Sequence, residues 1–201
     1  MDITIATQDA LPPGVTLTVN GAVYVCRPME TVGPESWQFP VGDADYPPSS
    51  WYCATWHDPT GARNGGYRHT GIDINLDVAP WGDIERKLGL SVYAIAPGAV
   101  TFSVWDWYGN PMIVVRHEHE GAPLYTRYAH IVPVVKTGRT VEAGELLGSF
   151  ADWHTGDHLH LDMSRTAYER EWFTPGMIDP VPVLKAHLDP AIVEAMLRKG
   201  D

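Results

Sequence analysis

The feature that most limits the fold of this chain is a run of short β-forming segments between residues 91 and 165. SVYAIAPGAVTFSVW, PMIVVRHEH, PLYTRYAHIV, LLGSFA and DHLHLDM each carry β-branched or aromatic residues between turn signals. Connections this short join antiparallel neighbours, because a parallel pair needs a crossover of a dozen residues or more. The 19 glycines and 17 prolines suit a loop-rich β chain. Upstream, TLTVNGAVYVC alternates apolar and polar residues around Asn20-Gly21, the signal of a two-residue hairpin turn. Residues 33–66 are rich in Pro, Gly, Ser, Asp and Trp without a steady period and read mostly as loop. Helix signals are few. GDIERKLG at 82–89 has room for about two turns. DPAIVEAMLRKG at 189–200 is better marked, with Asp189 as N-cap, Pro190 first in the helix, basic residues in the last turn and Gly200 as the stop. The expected molecule is mainly β, with a hairpin preface and a short C-terminal helix.

Composition narrows the function. The 201 residues, 44% hydrophobic and 19% charged, make a folded chain with a real core. A net charge of 14 − 25 = −11 argues against nucleic-acid binding and against holding an anionic surface by charge alone. No run approaches the length of a membrane span. MDITIATQDALPPG lacks the basic and apolar regions of a secretory signal. That leaves a leader removed earlier, another export route, or work inside the cell. Cys26 and Cys53 fit no Cys-x-x-Cys knuckle and leave both a bridge and two reduced thiols open.

The chemistry resides in the grouping of nine histidines. In HLHLDM, a strand puts His158 and His160 on one face about 6.5 Å apart, with Leu159 and Leu161 on the other. In His69-Thr70-Gly71-Ile72-Asp73, regular strand would part the His and Asp by about 13 Å, and the residues between them disfavour helix. A bend at Gly71 is the remaining solution, with His69 in a loop and Asp73 opening a strand. Neutral imidazoles with a carboxylate suit zinc. If all four residues bind, the tetrahedron is closed; if one histidine stands off, a position remains for water. Spacing alone does not choose between the two.

HTGID, YAHI and HLHLD, in this order, resemble the zinc endopeptidases of the lysostaphin and LytM type, which cut peptides of bacterial peptidoglycan. FPVG at 39–42, SVYAIAPGAV at 91–100, GRTVEAGELLGSF at 138–150 and IDPVPVL at 178–184 extend the likeness over residues 38–184. It implies an antiparallel, barrel-sandwich-hybrid-like peptidase core at 38–184, an N-terminal extension at 1–37 and a C-terminal helix at 185–201. It also implies Zn2+ held by His69, Asp73 and His160, with His130 and His158 beside the metal as proton donor and acceptor. HExxH is absent, so no glutamate base of that kind is available. Asp162 stands where the family has a glutamate, and could support a ligand histidine. It is counted with Tyr128 and His154 on the substrate side. Tyr128, two residues before His130, should share its face of the strand. The substrate implied is a peptidoglycan peptide, met at the cell wall by a monomer without nucleic-acid partner or membrane span.

Two other functions are consistent with the same pattern: an inactive relative serving as a binding or regulatory module, and a phage-borne lytic enzyme. The first is disfavoured because all five site residues are present. GRTVEAGELLGSF also resembles half of a biotinyl or lipoyl carrier domain, but Lys136 does not sit at a hairpin tip. His117 and His119, in RHEHEG, read as a solvated turn; His57 and His187 read as surface or packing residues. Trp105, Trp107 and Tyr108 read as core or edge cover. Asp43, Asp45 and Asp58 have no convincing calcium spacing.

Overall fold

The computed structural model describes residues 37–42, 46–63, 65–76, 89–107, 110–151, 158–168 and 174–198, with the backbone of 16–19 and 22–25. The chain divides into two compact units, residues 1–33 and 34–201. In the first, β1 (Thr16–Val19) pairs antiparallel with β2 (Ala22–Val25), and two residues separate Val19 from its partner Ala22. This is the hairpin expected around Asn20-Gly21.

The second unit is built on antiparallel sheet. Its elements are β3 (Trp51–Thr55), β4 (Ile72–Leu76), β5 (Ser91–Tyr93), β6 (Gly98–Trp107), β7 (Asn110–His119), β8 (Ala122–Ala129), β9 (Ile131–Pro133), β10 (Thr140–Val141), β11 (Leu146–Phe150), β12 (Leu159–Ser164) and β13 (Met177–Ile178). The main sheet runs β10-β6-β7-β8-β12-β4-β3, with β13 paired to the far end of β12. A smaller sheet runs β5-β11-β9. The main sheet is open, not a closed barrel. The β7–β8 hairpin turns at Glu120-Gly121, both at positive φ (56° and 75°), as a two-residue turn of matching twist requires.

The core joins the apolar face of the main sheet to the small sheet and the helices. Ile72, Ile74, Ile113, Tyr128, Leu159 and Leu161 bury with Val92, Ile95, Leu147 and Phe150. The Ile95 N–H donates to the Tyr128 hydroxyl at 2.9 Å, so the one polar atom of that buried ring is satisfied.

Three sequence readings change. Trp51–Thr55, expected as loop, is a strand. Trp51, Tyr52 and Cys53 are all buried, so the segment lacks the alternation of a one-faced strand. Cys53 is a buried free thiol, its pKa pushed up to about 12 by burial and then by the Asp73 charge. A second helix, α1 (Pro180–His187), precedes the expected one, α2 (Pro190–Arg198). Asp179 and Asp189 cap them alike, accepting from Val181 N–H and Ala191 N–H at 2.9 Å each. The Asp-Pro signal was thus present twice, and Pro182 inside α1 obscured the first. Residues 82–88, Cys26, Asp43, Asp45 and His154, and the side chains of Trp105, Trp107 and Tyr108, for which the sequence raised expectations, lie outside the described residues.

Candidate metal centre and active site

Strand register assembles the site. On β12, His160 lies opposite Asp73 of β4 on one side and Ala129 of β8 on the other. Directly opposed residues share a face, so Asp73 joins His160, while Leu159 and Leu161 face the core with Ile72 and Ile74. His69 arrives from the preceding loop, where it bridges Asp58, and the chain bends at Thr70-Gly71 before β4. The bend has the form expected from the sequence. Gly71 is required there by close approach: a Cβ would lie 2.1 Å from the Leu161 carbonyl oxygen and 2.5 Å from Asp162 Cβ. Gly71→Ala is therefore expected to destabilise the protein by about 3 kcal/mol, the upper end for overpacking, read as a lowered denaturant midpoint at unchanged slope.

His69 Nε2, Asp73 Oδ1 and His160 Nδ1 converge, all within 4.8 Å of one another. His69 Nε2 is 3.0 Å from Asp73 Oδ1, His160 Nδ1 is 2.9 Å from it, and the two ring nitrogens are 3.1 Å apart. The outer nitrogens explain which groups converge. His69 Nδ1–H donates to the Trp56 carbonyl at 3.0 Å, and His160 Nε2–H donates to Asp162 Oδ2 at 3.0 Å. In the neutral tautomers that keep those outward hydrogen bonds, both rings would present a lone pair beside Asp73 Oδ1, where a cation would sit. Three electron-pair donors facing one point suit a small cation, and two imidazoles with a carboxylate suit zinc.

Without a cation, the rings themselves supply the positive charge beside Asp73. Burial alone would raise the Asp73 pKa, but hydrogen bonds from His158, His160 and His69 outweigh it and keep the carboxyl ionised. Burial would lower His160, yet Asp162 and Asp73 raise it to about 9. The site favours positive charge at this ring.

His130 and His158 stand at its side. His158 Nε2 is 3.4 Å from Asp73 Oδ1, and the rings of His130 and His158 meet edge to face at 4.7 Å. His130 ends β8 in the left-handed region, φ 64°, uncommon outside glycine. Its N–H donates to the Pro111 carbonyl at 3.0 Å, and its own carbonyl accepts from Ala151 N–H at 2.9 Å. Clamped so, it leaves the strand alternation. Burial first, and then neighbouring His158 and His160, lower its pKa to about 3, which keeps the ring neutral.

That same break corrects the reading of Tyr128. It does not share a face with His130; it pairs with Leu161, lies fully buried in the core and has no surface toward a substrate. Asp162 is also removed from the substrate side, being fully buried beneath His160. Besides that ring it accepts from Thr70 Oγ1 at 2.8 Å, from Arg127 and from the Tyr168 hydroxyl. Burial pushes its pKa up, but Arg127 and His160 outweigh this and hold it below the carboxylate range. Arg127 was not foreseen. It sits opposite Asp162 in register, a cross-strand relation a linear sequence hides. Tyr67 was also overlooked. It is 61% exposed, its ring 6.1 Å from that of His69, at the rim of the site.

His57 packs locally, its Nδ1–H donating to the Thr70 carbonyl at 2.8 Å. Asp58 organises its own turn, accepting from Thr60, Gly61 and Arg63 backbone N–H groups.

Comparison with known proteins fits this arrangement. Residues 67–171 match the profile of Peptidase family M23. The L-Ala–D-Glu endopeptidase of Bacillus subtilis (strain 168) is 30% identical over 148 residues, 67% of this chain and 40% of that protein. The chain thus spans less than half of that relative's length. Lysostaphin in solution superposes with a TM-score of 0.55 at 24% identity, covering 77% of this chain and 55% of lysostaphin. Another structure, of the antimicrobial peptidase lysostaphin from Staphylococcus simulans, gives 0.51 at 23% identity, covering 69% and 51%. These two likenesses show the fold. The matched segment begins at the rim residue Tyr67 and contains His69, Asp73, His130, His158 and His160. From motif order, register and the converging donor set together, the chain belongs to peptidase family M23.

Proposed function

We propose that this protein is a zinc endopeptidase that hydrolyses peptide bonds of bacterial peptidoglycan, acting at the cell wall as a monomer. The observation that carries the reading is the convergence of His69 Nε2 and His160 Nδ1 on Asp73 Oδ1, with the outer nitrogen of each ring within hydrogen-bond reach of an acceptor. His69, Asp73 and His160 would hold the ion, three protein ligands leaving a fourth position, as catalytic zinc sites have. Zinc held there would supply Lewis acidity, polarising the scissile carbonyl and making water acidic enough to attack near neutral pH.

The chain's own residues do the rest. His130 and His158 stand beside the ligands; one would take the water's proton and the other would donate to the oxygen on which charge develops. Asp162, through His160 Nε2–H, fixes the tautomer and aim of a ligand ring. The peptide substrate follows from the resemblance to wall-acting endopeptidases and from the B. subtilis relative, whose name describes cleavage between L-Ala and D-Glu.

Digestion of purified sacculi of known cross-link type, with fragments weighed by mass spectrometry, tests the assignment. Release of fragments ending at one type of peptide bond, stopped by a chelator and restored by Zn2+, is expected. Sacculi left intact by zinc-loaded protein would contradict it.

A further inference from the structure

A second pair of converging imidazoles lies at the other end of β7. His119 Nε2 of β7 and His187 Nε2, at the end of α1, are 2.9 Å apart, with ring centroids 5.0 Å apart and planes at 74°. The pair in the first site has nearly the same geometry: nitrogens 3.1 Å apart, centroids 4.8 Å apart, planes at 89°. Met112 of β7 pairs with Ala129, the neighbour of His160. His119 is seven residues further along, about 23 Å at the rise of a strand. The two pairs are therefore separate.

His119 is buried, contrary to the solvated turn expected from its sequence, and His187 is exposed. Both line a cavity of about 590 Å³ that Glu118 and Glu120 also line. The His187 ring stacks on Trp37 at 4.4 Å, which fixes its plane. Behind His119, Nδ1 lies 3.5 Å from Glu120 Oε2, the carboxylate–imidazole relation that supports a metal ligand. Arg165 Nη2 is 3.1 Å from the same Nδ1 and 3.4 Å from Glu120 Oε2, so it can pass from the ring to the carboxylate. Two residues before His119, on the same face, His117 is buried with its Nδ1–H on the Pro97 carbonyl at 2.8 Å. Its Nε2 lone pair has no partner among the described residues. Such a group calls for a water, and His117 is not among the residues that line the cavity of the pair.

We propose that His119 and His187 form a second metal site, taking a borderline divalent ion such as Zn2+, Cu2+ or Ni2+, with water available from the cavity to complete the shell. Binding moves one proton within His119: Nε2 gives up its hydrogen and binds the ion, and Nδ1 gains one and donates it to Glu120. No net proton is released and no redox partner is needed. Nitrogen ligands suit these ions better than Mg2+ or Ca2+.

Calorimetric titration with Zn2+ at pH 7.5 of the full chain, stripped of metal by a chelator and then dialysed, tests this. The proposal expects an equivalent that is lost in His187→Ala and in His119→Gln but retained in His69→Ala. His187 is exposed at a helix end, so its removal leaves the fold intact, and the equivalent held at His69 reports this independently. If every bound equivalent survives both His187→Ala and His119→Gln, the pair is only a neutral N–H···N hydrogen bond and the proposal fails. A parent chain that binds only the equivalent lost in His187→Ala, with nothing further lost in His69→Ala, would instead count against the peptidase assignment and leave this proposal standing.

Discussion

Asp162→Ala should cost about 3–5 kcal/mol of stability, because it strands a charge. Arg127 and Asp162 are 1% and 0% exposed, and the guanidinium donates to Asp162 Oδ2 through both Nε, at 3.1 Å, and Nη2. Truncation leaves that buried cation without its counter-charge. It also removes the acceptor of the Thr70 hydroxyl, the Tyr168 hydroxyl and His160 Nε2–H. The double variant Arg127→Met, Asp162→Leu removes both charges at similar volume and should lose clearly less than the single one. Denaturant unfolding of the two variants reads the difference. A loss below about 1 kcal/mol in Asp162→Ala would show that the pair is not the buried unit described. Metal affinity should also fall, by about 10- to 100-fold, since the tautomer of a ligand ring is no longer fixed.

His158→Ala, the second large effect, should lower kcat by about 10²- to 10⁴-fold while metal content stays unchanged. His158 is 3.4 Å from Asp73 Oδ1, but its ring is not part of the converging trio. His130→Ala should behave alike. A His130→Gly variant in addition relieves backbone held at φ 64°, so its stability should not fall in step with its activity. The split between activity and metal content separates these residues from ligands. Loss of metal in His158→Ala would make it a fourth ligand and close the site against water.

Much of this was legible in one dimension. The Gly71 bend had only one solution once strand and helix were excluded between His69 and Asp73. The spacing of His158 and His160 placed them on one side of a strand, and Asp189-Pro190 marked its helix. The failures have a common cause. Tyr128 was assigned by alternation, which the left-handed His130 breaks, and nothing in YAHI announces that conformation. Arg127 meets Asp162 only through register, and register depends on pairing across 35 residues. His119 reads as turn polarity until α1 brings His187 to it. Trp51, Tyr52 and Cys53 are buried in succession, and so Trp51–Thr55 carries no period to detect.

The central claim is that His69, Asp73 and His160 grip one ion and leave a corner open. Metal analysis of dialysed protein in the His187→Ala background addresses it directly. One equivalent per chain is expected, kept in His158→Ala and lost in His69→Ala and His160→Ala. Undiminished metal in both ligand variants, or none in the parent, would contradict it.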